Sequence, residues 1–340
     1  MRLADLDYAL PPELIAQEPA AERTAARLLH LARTGTIRGH HTVAALPTLL
    51  REGDLLVLNE ARVVPARLRA RRPSGGRLEL LLLAEADGPA VWDAIVRGTP
   101  RVGETVHFAD GTGTWLAAHG GGRWRVRLDL DEPVHAWLDR VGELPLPPYI
   151  RRPDGPTTTD RERYQTTFAR VPGAIAAPTA GLHLTPDLLA ALAVRGVGHA
   201  ALTLHVGPGT FLPIRDGDLD GFAMEPERYE LPGDTVARIA VTRAAGGRVV
   251  AVGTTTVRAL ESAAARGPLA AGEGSADLFV RPGHTLRVVD ALLTNFHLPR
   301  TPLLALVAAF TGWDALHAAY AEAVERRYRF YSYGDAMLIA

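Results

Sequence analysis

Between residues 62 and 130 the chain falls into six short apolar or alternating runs, and this rhythm constrains its fold more than any other feature. The runs are Val63 to Arg71, Leu78 to Leu83, Val91 to Val96, Thr105 to Phe108, Trp115 to Ala118 and Trp124 to Leu130. Glycine-rich turns separate them, including Ser74-Gly75-Gly76, Asp110-Gly111-Thr112-Gly113 and Gly120-Gly121-Gly122. Evenly spaced short strands with glycine turns predict a small antiparallel barrel. After residue 150 strands alternate with helices. Thr185-Pro186-Asp187 opens a helix that Gly196 closes, and Val197 to Val206 reads as a strand. Asp234 can cap a helix through Ala244, Arg248 to Val252 is a short apolar strand, and a last helix is expected from about Asp314 to Arg327. Before the barrel, Pro11-Pro12-Glu13 suggests a short helix within residues 11 to 30, and Asp54 to Asn59 a buried strand. The expected fold class is α/β: a mixed-sheet main domain (residues 1–62 and 149–340) interrupted by a β-barrel domain (residues 63–148).

Composition removes several chemistries. The 340 residues contain no cysteine, and all 37 basic residues are arginine. A thiolate nucleophile, an iron–sulfur cluster, a lysine Schiff base and a phosphate-loop lysine are therefore impossible. No run reaches the roughly 20 apolar residues of a membrane span. The start, Met1 to Asp7, is acidic where a signal peptide is basic, so a cytoplasmic protein is expected. Formal net charge is −1, which advertises no polyanion partner globally. Local clusters such as Arg67, Arg69, Arg71 and Arg72 read first as solvated faces and second as an RNA face.

Four segments place small polar residues where an expected strand ends. They are Gly173 to His183, Thr203 to Phe211, Gly253 to Glu261, and Thr294-Asn295-Phe296-His297-Leu298-Pro299 ahead of the apolar stretch Thr301 to Phe310. Each alone has a bland explanation: a bonded core histidine, a helix cap, a turn. The amide of Asn295 and the imidazole of His297 cost stability between buried elements unless satisfied, so the hexad is either a core plug or a pocket floor. Four such segments together favour one shared cleft. Threonines at a helix N-terminus suit a carboxylate, hydroxyls or a phosphate. His183, His205 and His297 raise a metal site, but ligand spacings are lacking, and a metal-free pocket is expected.

These strings carry a resemblance nearly end to end. The chain resembles the S-adenosylmethionine:tRNA ribosyltransferase-isomerase family of the queuosine pathway. The likeness includes Gly53 to Asn59, Pro65-Ala66-Arg67-Leu68, Gly142 to Ile150, Glu162-Arg163-Tyr164-Gln165-Thr166 and Tyr328 to Met337. The resemblance implies transfer and isomerisation of the ribosyl group of S-adenosylmethionine onto 7-aminomethyl-7-deazaguanine at the tRNA wobble position. Adenine and methionine leave, and epoxyqueuosine-tRNA results. S-adenosylmethionine is then a substrate, no cofactor is needed, and tRNA is engaged at its anticodon region by what is expected to be a monomer.

Such chemistry needs a base for a proton beside the sulfonium and a donor for departing adenine. His183, His205 and His297 are the candidates for proton transfer, with Asp290, Asp335 and Glu261 as orienting or competing groups. Asn295, Thr254, Thr255 and Arg258 are candidates for the ribose hydroxyls or methionine carboxylate. The wider expected substrate-binding set is Asn59, Arg62, Tyr164, Gln165, Thr179, Gly181, Gly207, Gly209, Thr210, Tyr328 and Arg329. The chain departs from the family pattern at Arg23-Thr24-Ala25-Ala26-Arg27, at Glu60-Ala61, and at Glu225, where a histidine is usual. These departures leave two other readings open: a paralogue with a different acceptor, or a non-catalytic tRNA- or nucleoside-binding module.

Overall fold

The computed structural model describes residues 3–207 and 222–340, so the expected site residues Gly209 and Thr210 lie outside the described residues. The N-terminal segment forms β1 (Arg27–Leu31), β2 (Ile37–Thr42), α1 (Leu46–Leu49), β3 (Leu55–Asn59) and β4 (Ala61–Val63). Six strands follow: β5 (Arg67–Arg71), β6 (Arg77–Ala86), β7 (Gly88–Arg97), β8 (Thr105–His107), β9 (Thr112–Gly120) and β10 (Arg123–Asp129). They close into an antiparallel barrel in the order β10-β7-β6-β5-β8-β9, one strand for each apolar run in the sequence.

The chain then forms α2 (Val134–Val141), α3 (Thr158–Arg163), β11 (Val171–Ala174), α4 (Pro186–Val194), β12 (Gly198–Leu204) and β13 (Glu227–Leu231). The last elements are α5 (Gly233–Ala244), β14 (Val249–Val252), α6 (Thr254–Ala265), β15 (Gly272–Ala276), β16 (Ala291–Asn295), α7 (Pro302–Thr311), α8 (Trp313–Glu325) and β17 (Ala336–Ile339). Nine strands make one mixed sheet, β15-β13-β12-β3-β14-β16-β17-β1-β2. Its centre, β12-β3-β14-β16, is parallel, so these four strands end on the same edge. Strand β17 runs antiparallel to β16 and parallel to β1.

The sheet is apolar on both faces because it is covered on both. Leu55 and Val57, Val249 and Ala251, and Met337 and Ile339 join one core cluster; their neighbours Leu56, Leu58, Val250, Val252, Ala336 and Leu338 join the other. This period-two partition is why the central strands read as unbroken apolar runs. The barrel has its own core around Trp92, Trp115, Val126 and Trp137, and Ile175 from beyond β11 is inserted into it.

The expected helix within residues 11 to 30 is absent. Two 3-10 turns (Pro12–Leu14 and Arg23–Ala25) lead into β1 instead. Prolines at positions 11, 12 and 19 remove backbone donors that a longer helix would need. The first strand-end segment also differs from expectation: β11 pairs with β4 outside the main sheet, and a 3-10 helix (Thr179–His183) carries its polar residues to the sheet edge. Among the described residues no single helix is long and apolar enough to cross a membrane.

Candidate active site

A cavity opens where β14 and β16 end. Its lining includes Thr179, Thr254, Thr255, Asn295 and His297 from the expected set, and Tyr149, Pro178, Thr301, Tyr331 and Ser332 from outside it. Gly253 links β14 to α6 at φ 93°, a conformation that glycine alone adopts without strain. The chain can therefore turn sharply enough to present the first residues of α6 to the cavity. Behind them, the buried Asn59 amide donates to Leu204 O and Thr255 Oγ1, while its oxygen accepts from the Ala61 and Leu204 amides. Asn59 thus fixes the floor and leaves the ligand space to Thr254 and Thr255.

Asn295 is 2% exposed. Its Nδ2 donates to Tyr331 O at 3.0 Å and lies 3.3 Å from His183 Nε2. Both amide hydrogens are then committed, yet Oδ1 has no partner. A buried carbonyl left in this state costs about 1–3 kcal/mol. Tyr331 sits at φ 72°, a strained conformation for a bulky side chain, held by its amide on Phe296 O at 3.1 Å and by Gly334 N on its carbonyl at 2.8 Å. That backbone aims the Tyr331 ring across Tyr149, 3.9 Å between centroids, and the Tyr149 hydroxyl meets Ser332 Oγ at 2.5 Å.

His297 is anchored through its backbone. Its amide donates to Tyr320 Oη at 3.0 Å and its carbonyl accepts from Tyr8 Oη. The imidazole Nε2 meets Thr294 Oγ1 at 2.9 Å. Burial pushes the His297 pKa down to about 4. The same cause dominates at His183, also about 4, where Asp335 opposes the shift and Arg329 adds to it. Both rings are neutral at pH 7, able to accept a proton and costly to charge.

His205 occupies a second cleft, between the barrel's Trp92, Asp93 and Arg123 and the main domain's Gly207, Glu225 and Glu227. Val206 lines both spaces, so the two adjoin there. At Gly173 (φ 133°) a Cβ would lie 2.8 Å from His205 Nδ1, so this glycine makes room for the ring. The Nδ1 atoms of His205 and of neighbouring His135 are buried without partners. Burial, then Arg228 and His135, lowers the His205 pKa to about 4.

The other expected residues are held elsewhere. Asp290 lies at the start of β16, five residues and so about 16 Å from the cavity end, accepting from Val249 N at 2.8 Å. Glu261 accepts from the amides of Arg287, Val288 and Val289. Arg258 pairs with Glu227 and donates to Ala276 O at 2.6 Å, tying α6 to β13 and β15. Asp335 accepts from the Arg27 and Arg329 amides. Arg329 donates to Glu18 O, Tyr328 shares a hydrogen bond with His40, Arg62 pairs with Asp139, and Gln165 clamps the Val63 backbone. Tyr164 is buried against Tyr333, and Gly181 packs on Thr166 and Phe168 in the 3-10 helix that carries His183. Among the described residues no group of three His, Asp or Glu side chains is gathered for a metal.

The model of a family described as queuosine biosynthesis protein matches residues 3–339. The chain belongs to this family. A family relative from Citrifermentans bemidjiense, named S-adenosylmethionine:tRNA ribosyltransferase-isomerase, is 52% identical over 342 residues and covers 100% of both chains. One of the same name from an Anaeromyxobacter strain is 54% identical, covering 100% of this chain and 99% of its own. The crystal structure of a Thermotoga maritima S-adenosylmethionine tRNA ribosyltransferase is 38% identical, with a TM-score of 0.56 over 99% of this chain and 100% of that one.

At two of the three departures from the family pattern the acids are neutralised internally. Glu60 receives Arg170 at 2.6 and 3.1 Å, and Glu225 receives Arg123 of the barrel at 2.5 Å. At the third, Arg23 donates to Leu182 O and Gln165 O, bracing the 3-10 helix beside the cavity.

Proposed function

We propose that this chain transfers and isomerises the ribosyl group of S-adenosylmethionine onto the aminomethyl group of a 7-deazaguanine at the tRNA wobble position. The observation that carries the reading is the unpartnered Oδ1 of Asn295, a residue that lines a cavity with threonine hydroxyls and a neutral imidazole. A ribose hydroxyl supplies the missing donor to Asn295. The methionine carboxylate meets Thr254, the Thr255 backbone and the positive end of α6. His297 takes the proton beside the sulfonium; its low pKa keeps the ring in the basic form. His183 touches the cavity only through Asn295 and acts as a positioning residue.

The acceptor base occupies the second cleft, where His205 and His135 offer unpartnered nitrogens and Val206 marks the junction with the donor cavity. His205 takes the proton released as the amine attacks. On this reading the chain works as a monomer in the cytoplasm on the anticodon arm of tRNA, with S-adenosylmethionine as substrate and no added cofactor.

Purified protein is incubated with S-adenosylmethionine and tRNA carrying the aminomethyl-deazaguanine. Adenine and methionine should appear only with that RNA, and the ribosyl group should be found on the RNA by mass spectrometry. Release without RNA would identify a different acceptor. No release, with the nucleoside bound tightly, would mark a binding module.

A further inference from the structure

We infer that one outer face of the barrel, centred on Arg71 and Arg77, is a docking surface for the phosphate backbone of tRNA; this rests on the tRNA reading above. Strand β5 buries Leu68 and Ala70 and turns Arg67, Arg69 and Arg71 outward. Its register sets Arg71 directly opposite Arg77 of β6 and, on the other side, opposite His107 of β8. Like charges directly opposite on adjacent strands are destabilising. Among the described residues neither Arg71 nor Arg77 has an ion-pair partner. Nearby, Arg69 pairs with Glu143 at 2.9 Å and stands opposite Glu79 in the strand register, and Arg97 reaches Glu79 only at 3.9 Å. An open groove on this face is lined by Arg69, Arg71, Arg77 and Arg97 with Glu79 as its one acid, in a chain whose formal net charge is −1. Barrel stability does not explain two arginines set directly opposite each other with no carboxylate partner on either. An RNA phosphate strand does, because it supplies charge that relieves the repulsion and releases counterions on binding.

The test uses the full chain, with affinity for unmodified tRNA transcript read by fluorescence anisotropy at several salt concentrations and adenine release measured with tRNA carrying the aminomethyl-deazaguanine. The Arg71→Gln/Arg77→Gln double variant should bind about tenfold or more weakly, with a salt slope lower by about two. Its melting temperature should stand at or above the wild type's, since the repulsion is gone. At saturating tRNA its rate of adenine release should match the wild type, leaving the loss in KM. Unchanged affinity and slope in the double variant would overturn the proposal. So would an equal loss in Arg195→Gln at the C-terminal cap of α4, because the effect would then follow net charge and not this face. If the wild type binds tRNA but never releases adenine, the catalytic reading fails while the binding comparison still decides the docking surface.

Discussion

Asn295 and His297 divide the labour of one polar turn. The amide has both hydrogens tied into protein and its oxygen left for a ligand, while His297 is secured by backbone bonds that any side chain would preserve. His297→Ala should therefore keep the fold, at a cost of about 1–2 kcal/mol for lost packing, and lose at least about a hundredfold in adenine release. Near-native turnover in that variant would remove His297 from the chemistry. The low imidazole pKa values also set a pH signature. With His297 at about 4, kcat/KM should stay level from pH 8 to about 5 and fall only below that; a limb at 6.5 would contradict a buried neutral base. Stability follows the same groups. The unfolded histidines take up protons from about pH 6.5, while the folded His183 and His297 resist until about 4. Their contribution is thus complete above pH 6.5 and is lost on acidification through that window. Urea midpoints across the window should fall less steeply in His183→Gln than in the wild type.

At the scale of elements, the carboxylates expected to compete as bases all accept backbone amides that join one segment to another. Glu261 on α6 gathers three successive amides leading into β16, and so sets where Asn295 emerges. Glu261→Ala strands those donors and should cost about 3 kcal/mol or more in urea unfolding, while adenine release per folded molecule stays within about threefold. A collapse of turnover in a fully folded variant would return Glu261 to the catalytic set. The barrel was legible because glycine turns punctuate it at even intervals, and the cavity's threonines because they follow short apolar strands. Tyr331 was not legible as a cavity residue. A left-handed tyrosine leaves no mark on local pattern, and its position depends on Phe296 and Gly334 after folding. Asp290 was misplaced for a related reason: sequence proximity to Asn295 conceals that a strand separates its two ends.

Across the whole molecule, the barrel and the main sheet are joined by contacts of different worth. Ile175 enters the barrel core, whereas Arg123–Glu225 and Arg62–Asp139 are partly exposed ion pairs worth at most about 1 kcal/mol each. Ile175→Ala should cost about 2–5 kcal/mol and raise the KM for tRNA more than that for S-adenosylmethionine, because the cleft between the two parts loses its fixed spacing. Equal effects on both substrates would show that the joint does not govern the acceptor cleft. One further consequence concerns synthesis. Strand β17 lies between β16 and β1, so during synthesis the pair β1–β2 has no edge to join until residues 336–339 follow. At about 5–20 residues per second that pair waits for roughly 15 to 60 seconds with an unpaired apolar border. The barrel, made of neighbouring strands, can close long before. A nascent chain of this kind offers holding chaperones a defined and long-lived target: Arg27–Leu31.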